Sequence, residues 1–514
     1  MADTLADAIV VRNERLAAEG MDRMSSALAA LASYQCAAEG CTAGETDDPR
    51  GAGHALVAAL LLWRQSAEVV GAACDVVGRL AAVSADNAAV LVRDAGVHTA
   101  VMAAMRAHTA DVGVATRGCI ALAWLATGTG VAAELVREGA AMAVMAAMRA
   151  HVMCPEVATA VCTAMMRMVA PDGPWLQVAA HAYCMAVSVL CNHAGNVSVV
   201  RSACAFLAFL LPVYPNGTPA DAPDRLVTAL REHTDDALLA QYACKAMHLL
   251  ASKSGTTLLD RAGAPDVVTA ALRLHVRNAE AARSAIAVLL DLAVMPASCD
   301  ALMRAGAHGA VIAAMVAHID DMALEATACS VMQVFTIASG NRVPLIRAWA
   351  HGALVACLRK CTGNWAGLPD ACIALLGLAR TPECRVPLLR AGVLDAMTAI
   401  AIRCAGDARV AQPVLGTFWL LSDADGGPAE LIRVGAHRVM VSSLTQPELV
   451  GYSWVAPYVW PTLARLAACD DYKAALRGVN AHHAAEAAMH NNDLEPMIAA
   501  HARDTLAKLT RTRT

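Results

Sequence analysis

The chain repeats itself with a period of about 43 residues. The segment AVMAAMRAH occurs at 100–108 and again at 143–151, after the similar lead-ins LVRDAG at 91 and LVREGA at 135. A repeat of this length, made of one kind of unit, predicts stacked helical blocks in a solenoid, which offers a long surface rather than a catalytic pocket. The last residue of the segment marks eleven key positions, spaced by 40 to 44 residues: Gln65, His108, His151, His193, His233, His275, His318, Cys361, Cys404, Gln446 and His490.

Residues 87–128 show what one repeat contains. The apolar spacing predicts a short helix over 87–95, a second over 97–107 and a third over 111–126, whose apolar face includes Val114, Ile120, Leu122 and Leu125. Gly96 stands where the first helix must stop and turn. The same glycine is predicted to recur in the other repeats as Gly139, Gly263, Gly306, Gly352, Gly392 and Gly435.

This pattern resembles the armadillo repeat. The stretch LVREGAAMAVMAAMRAH, followed by a helix such as EVATAVCTAMMRMVA, is similar to its short first helix, Gly-Ala turn, Val/Leu-rich second helix and Ala/Leu-rich third helix. The AMRAH ending is most similar to armadillo-like repeat proteins of single-celled eukaryotes and to the armadillo region of some leucine-rich-repeat kinases, although no kinase signature occurs here. The resemblance implies an all-α fold, a right-handed armadillo-type α-solenoid of about eleven three-helix repeats of 42–43 residues.

The repeats also predict how the chain is organised. Residues 1–52 are expected to form a capping half-repeat, over 21–34, and a loop. The repeat array spans 53–510, and 511–514 form a tail. Within the array, the Pro-, Gly- and Asp-rich segment 212–225 predicts an irregular loop in place of a first helix.

Composition limits the classes of protein that remain. Hydrophobic residues make up 57% of the chain, but charged residues or His interrupt every window long enough to cross a bilayer, so no membrane insertion is expected. The N-terminus lacks the basic start and apolar run of a signal peptide, which favours an intracellular, reducing location, cytoplasmic or associated with a cilium or organelle. The net charge of −5 is spread along the chain and argues against nucleic-acid binding.

Two columns of side chains invite a metal-site interpretation. Histidine recurs at the key positions, but neighbouring repeats stand about 10 Å apart, so one ion could not bridge them. We expect each His to satisfy a terminal carbonyl of its own second helix. Cysteine recurs 11 residues after the key position, and Ile286 and Leu415 fill the same slot in two other repeats, which predicts a buried apolar slot. A metal clip at Cys357 and Cys361 or at Cys36 and Cys41 is the alternative; we expect no metal and no cofactor.

Catalytic motifs are absent from the sequence. It contains no Gly-rich phosphate loop, GxSxG, HExxH or paired CxxC, and its carboxylates are scattered. We therefore predict that the protein is not an enzyme.

The armadillo resemblance implies that third helices line a concave groove. Importin-alpha and catenin relatives place a regular Asn there, whereas the matching positions here read Arg79, Trp124, Arg167, Phe209, Leu249, Asp291, Val334, Gly377 and Leu420. Binding of nuclear-import cargo by the Asn ladder is therefore not expected. The candidate partner-binding residues are one cation–aromatic group and one aromatic cluster: Arg79, Trp124 and Arg167, and Tyr452, Trp454 and Tyr458.

These features predict a non-enzymatic scaffold or adaptor that binds one or more proteins along the groove or at the ends of the solenoid. An alternative from another class is a structural subunit of a large ciliary or organellar assembly. An import or assembly chaperone is a third possibility, which would need a groove selective for unfolded or basic segments. For the aromatic cluster, rings that fill space around Pro457 and Pro461 are the alternative to an exposed binding surface.

Overall fold

A computed structural model describes residues 49–169, 175–213, 221–361, 365–446, 449, 454–489 and 496–510. All regular structure in these ranges is helical. The chain divides into two compact units, residues 1–262 and residues 263–514. Several predictions lie outside the described residues: the capping half-repeat over 21–34, the tail 511–514, Tyr452, His490 and the pair Cys36 and Cys41.

Each unit is a stack of short helices. The helices of the first unit are α1 (Pro49–Leu62), α2 (Ala67–Val83), α3 (Ala85–Arg93), α4 (Val97–Ala107), α5 (Val112–Leu125), α6 (Val131–Arg137), α7 (Ala140–Ala150), α8 (Pro155–Met168), α9 (Trp175–Asn192), α10 (Val197–Leu210), α11 (Ala222–Glu232), α12 (Ala237–Ser254) and α13 (Thr257–Arg261).

The second unit continues the numbering. Its helices are α14 (Ala264–Leu274), α15 (Ala279–Ala293), α16 (Pro296–Ala305), α17 (Ala307–Ala317), α18 (Met322–Phe335), α19 (Ser339–Arg347), α20 (Ala350–Lys360), α21 (Leu368–Ala379), α22 (Pro382–Arg390), α23 (Val393–Arg403), α24 (Ala408–Leu421), α25 (Gly427–Arg433), α26 (Ala436–Ser443), α27 (Val455–Leu466), α28 (Asp470–Gly478), α29 (Ala481–Met489) and α30 (Pro496–Thr510).

The predicted three-helix repeat is confirmed. Helices α3, α4 and α5 form the repeat expected at residues 87–128, with ends within two residues of the predicted ones. Successive second helices pack on each other, as do successive third helices, so each unit consists of layers whose shared interior is the core. The all-α solenoid predicted from the sequence is therefore the architecture of the repeats.

Short polar side chains and left-handed residues set the ends of these helices. A side chain just before a third helix accepts a hydrogen bond from the backbone N–H three residues later, which satisfies a group that would otherwise lack a partner. Asp111, Asn196, Asp236, Asn278 and Asp321 do this. Before most second helices stands a glycine of positive φ, such as Gly96 at 63°.

One member of the predicted glycine series is wrong. Gly352 lies inside α20, and the left-handed residue before this helix is Trp349, with φ 66°. Trp349 lies 43 residues after Gly306 and 43 before Gly392, so it holds the regular position in the repeat. The sequence pattern selected the nearest glycine instead of the residue in register.

The cysteine column lies in the core, as predicted. Cys119, Cys162, Cys204, Cys244, Cys329 and Cys372 are fully buried and free. Burial raises the pKa of the Cys162 and Cys372 thiols to about 12. By contrast Ile120, predicted to belong to the apolar core face of α5, is 39% exposed.

Two repeats depart from three helices. In the repeat whose key position is His193, the single helix α9 takes the place of the first and second helices. In the following repeat, a 3-10 turn over Leu211–Val213 precedes the second helix α11. This helix begins at Ala222, so residues 222–225, predicted to be loop, form its first turn; Pro223 is tolerated there because the first-turn N–H groups have no helical partner.

No single helix in the described ranges is long and apolar enough to cross a membrane. Two bent pairs, α3 with α4 and α16 with α17, reach the required length and composition when their helices are taken together.

Candidate functional site

The third helices of the first unit form one continuous layer. Helix α2 packs on α5, α5 on α8, α8 on α10, and α10 on α12. Side chains that point away from the core on these helices therefore stand next to each other across repeats, about 10 Å apart. We call this surface the third-helix face.

Two glycines of α2 allow side chains of α5 to pack closely against its backbone. A β-carbon at Gly71 would lie 2.7 Å from Nη1 of Arg117, and one at Gly78 would lie 3.6 Å from Cδ1 of Trp124. The two glycines are seven residues apart, as are the two residues that cover them, so each pair repeats after two helical turns. Exposed Ile120 lies between Arg117 and Trp124 on α5.

Arg167 of α8 stacks on the other side chain of this group. Its guanidinium carbon lies 3.9 Å from the centroid of the Trp124 ring, a cation–π contact. Nη1 of Arg167 is buried and has no hydrogen-bond partner among the described residues. Because the guanidinium is partly withdrawn from water, the pKa of Arg167 lies below its ordinary value.

A second cation–aromatic pair lies further along the same face. Nζ of Lys245 on α12 is 5.1 Å from the centroid of Phe209 on α10, and Phe209 is 43% exposed. No acidic partner of Arg117, Arg167 or Lys245 occurs in the part of the chain that the structure describes. We call Arg117, Trp124, Arg167, Phe209 and Lys245 the third-helix row.

The structure brings the predicted residues Trp124 and Arg167 into contact and places Arg79 differently. Arg79 is exposed on α2 and pairs with Asp75 one turn earlier, 3.0 Å away. Its charge is therefore largely balanced within its own helix. Trp124 is half-buried between Gly78 and Arg167.

The predicted aromatic cluster lies in the second unit. Trp454 and Tyr458 are half-buried, whereas Trp460, two residues after the predicted cluster, is buried. Tyr458 of α27 packs against Trp419 of α24, with ring centroids 5.9 Å apart. Trp419 was missed because it lies one residue before the ladder position Leu420.

The histidine column connects neighbouring repeats. Nε2 of His318 lies 2.7 Å from the carbonyl oxygen of Val276, in the turn after the preceding second helix, and His193 and His233 contact Val152 and Ala194 in the same way. The prediction that each His bonds to a terminal carbonyl of its own helix is therefore wrong for these three residues, because the carbonyl belongs to the preceding repeat. A helix end closes on itself through backbone bonds, which leaves the imidazole free to reach the adjacent repeat.

A second histidine column was missed. Histidine stands two residues after the left-handed residue in several repeats, with Nδ1 buried and without a hydrogen-bond partner among the described residues: His98, His308, His351, His437 and His482. Burial lowers the pKa of His308, His351 and His437 below the ordinary value of 6.5. The regular spacing of these residues was visible in the sequence.

The cysteines considered for a metal clip have other neighbours. Sγ of Cys357 lies 3.5 Å from Oε1 of buried Glu325. Burial raises the pKa of that carboxyl. Within the described ranges, no group of three or more His, Cys, Asp or Glu side chains is arranged to hold a metal ion.

Comparison with known proteins agrees with the repeat geometry. Residues 17–197 match the family model described as LRRK2 ARM repeat. A structure from work on a phosphorylation switch that controls the interaction between cadherin and beta-catenin is 14% identical; the alignment covers 94% of this chain and 96% of that one, with a TM-score of 0.66. An engineered protein from a structural genomics programme is 17% identical over 89% of this chain and 99% of its own, with a TM-score of 0.51. No curated protein matches the sequence. Residues 17–197 thus match an armadillo-repeat family model, and the repeats of both units share the all-α, armadillo-type fold of these solved structures.

Proposed function

We propose that the protein is a non-enzymatic scaffold that binds an extended, acidic segment of a partner protein along the third-helix face of its first unit. In this proposal, Arg117, Arg167 and Lys245 pair with carboxylates or phosphates of the segment. Trp124 and Phe209 hold apolar side chains between them. The fold supports protein binding in general, and the chemistry of the row supports this class of partner.

The arrangement of Arg167 carries the proposal. A guanidinium that is partly withdrawn from water gains most from a charged partner, because an unpaired buried donor costs free energy. Stacking on Trp124 fixes its plane before a ligand arrives, so little side-chain freedom is lost on binding. A carboxylate or phosphate placed against the guanidinium would supply the charged partner that Arg167 lacks among the described residues.

The spacing of the row suits an extended chain. Neighbouring third helices stand about 10 Å apart, and an extended segment advances about 3.3 Å per residue. One repeat therefore corresponds to about three residues of ligand. Acidic residues at intervals of three to six would meet the cations of the row, with apolar residues between them.

The proposal can be tested with acidic peptides and the full chain. A fluorescein-labelled twelve-residue peptide with Glu at every third position and Leu or Phe between should bind, and binding should weaken as salt is raised. Arg167→Gln should weaken binding at least about tenfold, because a charged, desolvated contact is lost. The matched variant Arg149→Gln removes the same charge from the exposed end of α7 and should leave binding unchanged.

Two results would contradict the proposal. Equal loss in the Arg167 and Arg149 variants would show that only net charge matters. Equal binding of a basic peptide of the same length would show that the face does not select acidic segments.

Trp124→Ala should also weaken binding, with a moderate loss of stability because the ring is half-buried.

The same proposal includes an intracellular location. The described cysteines are free thiols, and most of them are buried in the helix layers, as expected for a chain that folds under reducing conditions.

Fractionation of native extracts separates a scaffold, which exchanges among partners, from a subunit that remains in one large particle. Cross-linking mass spectrometry of the same extract identifies the partner.

A further inference from the structure

Three consecutive turns in the second unit form a regular series with one exception. The residue before the second helix is left-handed in each repeat, with φ 74° at Gly306, 66° at Trp349 and 76° at Gly392. Glycine adopts this conformation freely, whereas the β-carbon of any other L residue crowds the neighbouring carbonyl. A bulky residue in this conformation is an outlier that calls for an explanation.

The indole of Trp349 is both fixed and exposed. It stacks on the ring of His351, with centroids 4.8 Å apart and planes inclined by 10°. Gly352 leaves room for it, since a β-carbon there would lie 2.5 Å from Cε3 of the indole. Even so, Trp349 is 63% exposed. A rigid exposed ring can bind a partner with little loss of conformational freedom.

The side chain that covers this turn in neighbouring repeats is also replaced. Arg273 donates to the carbonyl oxygens of Ala305 and Gly306, at 2.6 and 3.2 Å, and Arg359 reaches Gly392 from the equivalent position. The residue midway between these arginines, 43 residues from each, is Val316, which is 65% exposed. The middle turn therefore combines Val and Trp where its neighbours combine Arg and Gly.

Arginines flank the apolar turn. Arg304, Arg347 and Arg390 each lie two residues before the left-handed residue, at the exposed end of a first helix. None of the three has an acidic partner among the residues that the structure describes. Segments 304–308, 347–351 and 390–395 contain one carboxylate, Asp395, which lies 3.9 Å from Arg359. The apolar pair Val316 and Trp349 therefore lies among three arginines, of which Arg347 belongs to the same turn as Trp349.

We propose that this surface, which we call the corner surface, binds an acidic segment of a partner protein through one apolar or aromatic side chain seated on Trp349. It consists of Val316, Trp349, Arg304, Arg347 and Arg390. Its charge is complementary to acidic residues on both sides of the anchor. Two repeats span about 20 Å, the length of about six extended residues. The site is separate from the third-helix row and does not depend on it.

The test uses the full chain and the peptide Asp-Glu-Asp-Phe-Glu-Asp-Glu. With a photoreactive benzophenone in place of the Phe ring, cross-links are expected within residues 339–361. Trp349→Gly introduces the residue of the neighbouring repeats, so its melting temperature should be equal or higher while the corner cross-link falls at least about tenfold. Trp349→Asn should also weaken the corner cross-link, and Asn tolerates the left-handed conformation. Arg347→Glu, at an exposed site, should weaken the cross-link as well.

Matched controls separate this surface from the third-helix row. The variant Trp124→Ala with Arg167→Gln should keep the corner cross-link. An excess of the unmodified Phe peptide should compete for this cross-link, whereas the same excess of a peptide with Ser in place of Phe should compete much less. Unchanged cross-linking in Trp349→Gly, or the absence of any cross-link within residues 339–361, would overturn the proposal. The proposal would also fail if the peptide did not bind and phosphatidylserine vesicles bound in a manner that depends on Trp349. The partner would then be a membrane surface.

Discussion

Nε2 of His318 donates a hydrogen bond to the carbonyl oxygen of Val276, 2.7 Å away, and so joins two successive repeats. The imidazole ends one second helix, and the carbonyl lies in the turn after the preceding second helix. His193 and His233 make the same connection to their preceding repeats. Where Cys361 replaces the histidine, Lys360 donates to the equivalent carbonyl of Ile319.

Removing one of these bonds should lower stability by an amount that depends on the bond. His318→Ala should cost about 1–2 kcal/mol in the free energy of unfolding, because the carbonyl of Val276 loses its donor. His151→Ala should cost less, since Nε2 of His151 is buried without a hydrogen-bond partner among the described residues. Urea unfolding of both variants measures the difference. Equal losses would favour a helix-dipole contribution shared by every histidine of the column.

Acidification should destabilise the second unit. Burial lowers the pKa of His308, His351 and His437 in the folded chain, so the unfolded chain binds more protons just below the ordinary value of 6.5. The stability from these neutral rings is present above pH 6.5 and is lost as the pH falls below it. The melting temperature should therefore decline between about pH 6.5 and pH 5, above the range in which carboxylates titrate.

The matched variant for this pH dependence is His437→Gln. It removes one titrating group and should make the decline shallower. An equally steep decline in the variant would assign the loss of stability to other groups.

Two glycine substitutions should have opposite effects. A β-carbon at Gly78 would meet its neighbours at 3.6 Å, an ordinary contact, so Gly78→Ala should stabilise α2 by up to about 1 kcal/mol. At Gly427, a β-carbon would overlap the carbonyl oxygen of Leu421, so Gly427→Ala should destabilise the protein. Thermal unfolding of both variants gives the signs. A destabilised Gly78→Ala would mean that Trp124 needs a closer approach to α2.

Truncation of the aromatic residues of α27 should separate core from surface. Trp460→Ala should cost about 3–5 kcal/mol, because the ring is almost completely buried. Tyr458→Ala should cost less, since its ring is half-buried against Trp419. Chemical unfolding measures both losses. Equal losses would place Tyr458 in the core, whereas no loss would leave it available as a binding residue.

Much of the repeat could be predicted from sequence because its signals are local. Apolar spacing and a turn glycine define α3, α4 and α5 to within two residues. The single helix α9 was not predicted, because three helices were expected in every repeat. Its repeat has no glycine at the position where the other repeats turn into the second helix. Ile120 was assigned to the core because periodicity does not distinguish a core position from an apolar position on the opposite face.

The candidate site was only partly predictable. Trp124 and Arg167 were found because they occupy equivalent ladder positions, which third-helix packing brings into contact. Arg117 and Lys245 lie one or two turns away from those positions, so alignment by register alone did not select them. Trp349 was missed because a residue that adopts a left-handed conformation against its preference has no sequence signal except its position in the period.

The described cysteines range from fully buried to exposed, and burial sets the reactivity of their thiols. A thiol whose pKa is about 12, such as Cys162 or Cys372, holds almost no thiolate at neutral pH and reacts slowly with alkylating reagents and peroxide. Cys184 and Cys191 are exposed, and both lie on α9. Among the described cysteines, mild alkylation or oxidation should therefore modify those of α9 first, while the packed thiols between the other helices remain unreacted.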